Sequence, residues 1–283
     1  MTEISMDLIK KLRDRTGVGI GKCKEALEKA NGDIEQAITD LRKAGMASAV
    51  KKAGRETNEG MIGFAETDER IAIVEVNAET DFVVKNEKFG EFLLEVANEV
   101  AQTSPSSLED FLKQKYSKDA HLTIDEFRGT IVQMIGENIQ ISRITDIAKK
   151  SNQSVGIYSH MNGKIVTAIV IEGSDQEEEL ARDIAMHAAA AAPDFLKPET
   201  VPQDIIEHER EIARTQLKGK PENMLDKILE GKLKAYYSTA CLICQKYIRD
   251  ESLTIEELVK KRSQEIGKPL EITFFLRWSV GNK

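Results

Sequence analysis

The sequence predicts an α+β fold: an N-terminal three-helix module, two related α/β core subdomains with antiparallel sheets, and a helical hairpin inserted in the second. Three observations carry this expectation. The first 45 residues hold three apolar stripes at helical spacing and no strand pattern; a strand, turn, strand, helix order occurs twice; and two charged helical patterns interrupt the second copy.

In the module, residues 1–45, the stripes are Leu8, Ile9 and Leu12, then Cys23, Ala26 and Leu27, then Ile34, Ala37, Ile38 and Leu41. Thr16-Gly17-Val18-Gly19 breaks the first helix from the second, and Asn31-Gly32-Asp33 supplies a terminating glycine followed by an Asp N-cap. From residue 42 a Lys-, Ala- and Gly-rich stretch extends the third helix and fades into a linker, residues 46–58.

The first core subdomain, residues 59–150, opens with a strand from Gly60 to Ala65, a turn at Thr67-Asp68-Glu69 and a return strand from Ile71 to Val76. A helix from about Asn86 to Ala101 follows, with Phe89, Phe92, Leu93, Val96 and Val100 on its inner face, and then two further helices ending near Glu137. The second, residues 151–283, repeats the order: Val155 to His160, a turn at Met161-Asn162-Gly163, Ile165 to Ile171, and a helix from Gln176 to Ala191. Gly60 to Phe64 lies over Val155 to Ser159, and Ile71 to Glu75 over Val166 to Val170, which reads as an internal duplication. Residues 200–238 form the inserted hairpin, with Gly219-Lys220-Pro221 between its helices and Leu225, Ile228, Leu229 and Leu233 on one stripe. Ile255 to Arg262 is again helical, and Glu271 to Trp278 gives a last strand to complete a sheet.

Composition narrows the function classes. The chain has 283 residues, 41% hydrophobic and 31% charged, enough for about two domains. No apolar run approaches the ~18 residues of a membrane span. The start lacks the basic, apolar and small-residue order of a secretory signal, so a cytoplasmic protein is expected. A net charge of -8 argues against broad contact with nucleic acid. Three cysteines, Cys23, Cys241 and Cys244, fit a reducing compartment rather than a disulfide scaffold.

The search for catalytic chemistry ends without a site. Gly17-Val18-Gly19-Ile20-Gly21-Lys22 imitates a phosphate loop, but Thr16 stands where the leading glycine belongs, Cys23 where Ser or Thr belongs, and no strand precedes it. Cys241-Leu242-Ile243-Cys244 has the spacing of half a zinc site with no second half, and packed thiols are expected. His121, His160, His187 and His208 are scattered and read as surface or structural groups. Glu177, Glu178, Glu179 and Asp183 read as a solvated helix face. No catalytic residue, metal ligand or cofactor follows. One segment stands out: Thr80-Asp81-Phe82-Val83-Val84 puts large apolar groups in a short strand-to-helix turn. The pattern allows a buried staple against that helix or a protruding tip that enters a partner.

Taken together, Leu12 to Gly19, Cys23-Lys24-Glu25-Ala26-Leu27 and Asn31 to Ile38 resemble the opening of the elongation factor Ts family. Val76 to Val83, Ile184 to Ala190, Gly219-Lys220-Pro221 and Leu229-Glu230-Gly231-Lys232 resemble it further along, in the same order. The resemblance implies that the three-helix module is ubiquitin-associated-like. It also implies a non-catalytic guanine nucleotide exchange factor that binds elongation factor Tu with GDP and loosens the nucleotide and its magnesium. By the resemblance, Thr80, Asp81, Phe82 and Val83 form the segment associated with magnesium dislocation, Phe82 as a wedge and Asp81 as the polar group that fixes the turn. Arg13, Thr16 and Gly17 are the implied contacts of the module, and His160 that of the second core subdomain. Ile20-Gly21 differs from the bulkier apolar pair of some members. The hairpin is the candidate for a homodimer contact. A ubiquitin-associated-type adaptor would account only for the first 45 residues, and a cofactor-using enzyme would need a phosphate loop or acid–base cluster.

Overall fold

A computed structural model describes residues 4–216 and 222–281, the side chains of residues 216 and 222–227 excepted. The Gly219-Lys220-Pro221 corner, the Leu225 side chain and the first three residues lie outside the described residues. The chain forms two compact units, Met1–Ala148 with Ser279–Lys283, and Lys149–Trp278. In chain order the first contains α1 (Met6–Thr16), α2 (Ile20–Lys29), α3 (Ile34–Lys52), β1 (Glu59–Glu66), β2 (Arg70–Ala78), α4 (Asp81–Val84), α5 (Glu87–Thr103), α6 (Leu108–Lys113), β3 (Lys115–Tyr116), β4 (Asp119–Thr123), α7 (Ile124–Ile135) and β5 (Ile139–Ala148). The second contains β6 (Gln153–His160), β7 (Ile165–Glu172), α8 (Glu178–Ala191), α9 (Gln203–Gln216), α10 (Glu222–Ala240), β8 (Lys246–Tyr247), β9 (Asp250–Thr254), α11 (Ile255–Ile266) and β10 (Glu271–Ser279). This is an α+β fold. No helix among the described residues is long and apolar enough to cross a membrane.

The three N-terminal helices enclose Ile9, Leu12, Val18, Cys23, Leu27, Ala37, Ile38 and Leu41. Their ends follow local chemistry. Asp33 accepts the Glu35 and Gln36 amides at 2.9 and 3.1 Å, and Gly17, at φ 64°, closes α1 by donating its N–H to Arg13 O at 2.7 Å. Beyond them the structure departs from the expected linker: α3 stays helical to Lys52 and packs on α7. A Cβ on Gly45 would lie 3.0 Å from Gly129 O, and one on Gly129 2.8 Å from Met46 Sδ. Arg42 pairs with Asp119 at 2.6 Å, and Ala49 joins the core of the first unit. The small residues that read as linker composition are those that let two helix backbones touch.

In the first sheet β2 lies between β1 and β5, antiparallel to both. Ala72, Val74, Val76 and Ala78 face Phe89, Phe92, Leu93, Val96 and Val100 of α5, each large side chain contributing roughly 1.5 to 3 kcal/mol on burial. The sequence reading missed β5. Its register against β2 pairs Val76 with Ile141 but Glu75 with Arg143, leaving Ser142 as a bulge. The bulge breaks the two-residue period, and Ile141, Ile144 and Ile147 then recur at a helix-like spacing of three. Around the bulge, buried Glu75 accepts from Arg143 Nε at 2.7 Å, Asn77 Nδ2 at 3.0 Å and Gly281 N at 3.1 Å, and Arg143 also donates to Ser279 O at 2.9 Å. Residues 279–281 are thereby fastened to the first unit.

The second unit repeats the plan, with β7 between β6 and β10 and α8 over β6 and β7. The likeness extends past the segments that overlay in sequence. Lys115-Tyr116 and Lys246-Tyr247 both open two-stranded ribbons, Thr123 and Thr254 both form capping boxes, and Ile124 and Ile255 donate to Gln114 O and Gln245 O, each at 3.0 Å. The copies differ in how the long helix sits. α8 presents Ala181, Ala185 and Ala188 where α5 presents Phe and Leu, and its backbone rests directly on Gly156. In the hairpin, Ala213 of α9 packs with Ile228 and Leu229 of α10.

Glu177 and His187 of this unit are buried rather than solvated. Glu177 accepts both Arg262 Nε and Nη2, at 2.7 and 3.1 Å, which corrects its reading as part of an exposed acidic face. His187 accepts the Ile248 N–H at Nδ1, 3.3 Å away, so the proton sits on Nε2 and donates to Gln245 Oε1 at 3.0 Å. Burial pushes the His187 pKa down, against the Gln245 bond that raises it. Above the ordinary imidazole pKa of ~6.5 neither folded nor unfolded His187 carries a second ring proton. Below it the unfolded chain gains a proton that the folded one lacks, so stability falls as pH falls. Melting temperature should therefore drop between pH 7 and 5.5, and His187→Gln, although less stable at pH 7, should show a flatter slope; an unchanged slope would reject the assignment. Burial also raises the Cys241 thiol to about 12, in keeping with packed thiols.

Candidate functional site

The segment from Glu79 to Val84 leaves β2 and makes the single helical turn α4. Thr80 is its N-cap, in extended conformation, and its Oγ1 accepts the Val83 N–H at 3.4 Å. Val84 is buried at 5% exposure and Val83 packs against the same core, while Phe82 stands 81% exposed. The two readings of this turn therefore divide between neighbours: the valines are the staple, and Phe82 is the tip. An exposed phenylalanine at that fraction contributes almost nothing to its own fold.

What holds the turn comes from the loop after α7. Glu137 accepts the Thr80 amide at 3.1 Å and the Thr80 hydroxyl at 2.8 Å. In return Glu79 Oε1 accepts the Asn138 amide at 2.6 Å, and Arg55 Nη1 stands 3.3 Å from the same Glu79 oxygen. Asn138 in turn donates from Nδ2 to Arg55 O at 2.9 Å. Asp81 pairs with Lys85, the C-cap of α4, at 2.6 Å on the surface, across the length of the turn. That ammonium holds the Asp81 carboxyl below its usual range, and the carboxylate raises Lys85. Thr80 and Glu137 hold the start of the turn, and the Asp81–Lys85 pair spans it on the surface. The sequence carried no signal for Glu137, which lies 57 residues from Thr80.

The corner of the N-terminal module reaches the same α7. Gly17 backs onto Met134, whose Sδ would lie 3.2 Å from a Cβ at that position, and Lys22 Nζ donates to Gln133 O at 3.2 Å. Arg13 is exposed, and Thr16 Oγ1 donates to Leu12 O at 2.8 Å. Ile20 is half exposed, and the space around Gly21 is open. The carboxyl end of α7 thus touches the module at Gln133 and Met134, and the loop after it holds the turn at Glu137 and Asn138. His160 belongs to the second unit, where it is exposed at the end of β6 with Tyr158 Oη 3.3 Å from its Nδ1.

Comparison with known proteins agrees along the chain. A family model described as Elongation factor TS matches residues 79–282. An elongation factor Ts from Protochlamydia amoebophila (strain UWE25) is 64% identical over 281 residues, covering 99% of this chain and all of that protein. Those of Chlamydia muridarum (strain MoPn / Nigg) and Chlamydia caviae (strain ATCC VR-813 / DSM 19441 / 03DC25 / GPIC) are 45% and 46% identical, each over 99% of this chain and the whole relative.

Proposed function

The chain belongs to the elongation factor Ts family, and we propose that it releases GDP from the translation GTPase elongation factor Tu without making or breaking a covalent bond. The observation that carries this reading is Phe82, an exposed aromatic ring on a turn fixed from both sides. An apolar side chain carried on a backbone that is already fixed has only its own rotamer freedom left to lose when a partner covers it, so less of its burial is spent on ordering the chain.

The mechanism is linkage. A protein that favours the nucleotide-free state of a GTPase weakens GDP by the same factor by which GDP weakens it. In this reading Phe82 enters between elements of the GTPase that shape its magnesium and nucleotide site, with Asp81 beside it. The magnesium is the GTPase's own. Arg13, Thr16 and Gly17 dock the module on the same partner, and His160 adds a contact from the second unit. The short Gly45–Gly129 helix crossing supports treating residues 4–52 as one arm fixed to the first unit rather than a tethered one. No contact with nucleic acid or membrane is part of the mechanism.

The test is stopped-flow release of labelled GDP from elongation factor Tu. The full chain should accelerate release in proportion to its concentration until the GTPase is saturated, and should retain no GDP by itself. Tight GDP binding by the isolated chain, or release at the uncatalysed rate, would sink the reading.

A further inference from the structure

Held against α5 on one side, the Phe82 turn depends on Glu137 on the other, and the hydrogen bonds there have a fixed direction. Thr80 Oγ1 uses a lone pair to accept the Val83 N–H at 3.4 Å, so its one proton goes to Glu137 Oε1 at 2.8 Å. The second carboxylate oxygen takes the Thr80 amide at 3.1 Å. Glu137 thus sets the hydroxyl rotor that caps α4, and fixes the backbone from which the cap projects. The dependence matters because α4 is four residues long, and a single helical turn fixes many dihedrals for one or two hydrogen bonds. Its conformation has to be imposed from outside.

Glu79 and Asn138 complete the arrangement in the opposite sense, the Asn138 amide donating to the Glu79 carboxylate at 2.6 Å. Two adjacent residues of the turn therefore exchange carboxylate-to-backbone bonds with two adjacent residues after α7. Gly136, at φ 93°, ends α7 and carries the chain into this clasp. From these contacts we infer that Glu137 is a positioning residue for nucleotide release. It acts through Thr80, by holding Phe82 in the one orientation it presents to the GTPase. The inference rests on the reading of Phe82 as the group that enters the partner.

Three measurements on full-length Glu137→Gln test it: affinity for elongation factor Tu, the GDP-release rate at saturation, and amide hydrogen exchange. The glutamine keeps the size of the side chain but turns one acceptor into a donor, so either the Thr80 amide or the Thr80 hydroxyl loses the acceptor that orients it. The saturated rate should fall about tenfold, equivalent to ~1.4 kcal/mol on the barrier. Affinity, carried in large part by the other contacts, should change by less than about threefold, under ~0.7 kcal/mol. Faster amide exchange should be confined to residues 80–85. Thr80→Val should reproduce the rate loss, and the double variant should lose little more, since both changes remove one device. A wild-type rate in Glu137→Gln would overturn the inference while leaving the exchange reading intact. So would a rate loss accompanied by faster exchange throughout the first unit, which would make Glu137 a general structural residue. If the wild-type chain itself releases no GDP, the functional reading fails first, and the inference with it.

Discussion

Phe82→Ala is expected to slow GDP release on the order of ten- to a hundredfold while leaving the melting temperature nearly unchanged. The two halves of that result have separate causes. Truncating an aromatic anchor at the centre of an interface costs about 2 kcal/mol or more, at about 1.4 kcal/mol per tenfold. In its own fold the ring is 81% exposed, and surface substitutions of that kind stay within roughly 0.5 kcal/mol. A ring buried in the core would instead cost roughly 3 to 5 kcal/mol on truncation. Val84→Ala provides the contrast, because Val84 is the buried member of the same turn. It should lower the melting temperature and affect exchange only through the loss of folded protein. Unchanged GDP release by folded Phe82→Ala would remove Phe82 from the interface.

Gly156→Ala should be a severely damaging single-methyl change in the second unit. The added Cβ would fall well inside van der Waals distance of the Ala181 carbonyl carbon and the Arg182 nitrogen, and helix backbone cannot rotate aside as a side chain can. Overpacking a core costs typically ~1 to 3 kcal/mol, and a backbone obstruction belongs at the upper end. For a unit of this size that is a fall of roughly 10 °C in melting temperature. Gly63 in β1 is the internal control: the nearest atoms to a Cβ there are Cγ and the two methyls of the Leu93 side chain, which can shift as helix backbone cannot. Gly63→Ala should cost distinctly less, and equal losses in calorimetry would reject the account of how α8 packs.

What could be read from the residues, and what could not, divides by distance along the chain. The N-terminal module was legible because each stripe, break and cap lies within a few residues of its partner, as at Asp33 with Glu35 and Gln36. The duplication was legible in the strands that overlay, and the structure extends it to the ribbons at Tyr116 and Tyr247. Strand β5 was hidden by the bulge at Ser142, which shifts the apolar residues out of the strand period. The packed end of α3 was hidden because small residues look the same in a linker and in a helix crossing. Glu177 was hidden in an acidic run because its partner, Arg262, is 85 residues away. For the turn itself, the pattern of residues 80–84 supplied the run of apolar groups but not which of them is exposed, nor the carboxylate that holds the turn.

Residues 279–281 give the first unit an order of assembly in time. Glu75 and the Gly281 amide that reaches it are 206 residues apart, and the whole second unit is made between them. At translation speeds of ~5 to 20 residues per second, the interval is roughly 10 to 40 s. Once β5 has been made, the nascent first unit has its helical module and all three strands of its sheet, but Glu75 still lacks its last donor. A protein of the elongation family thus completes its own first unit only after the ribosome has elongated through the second.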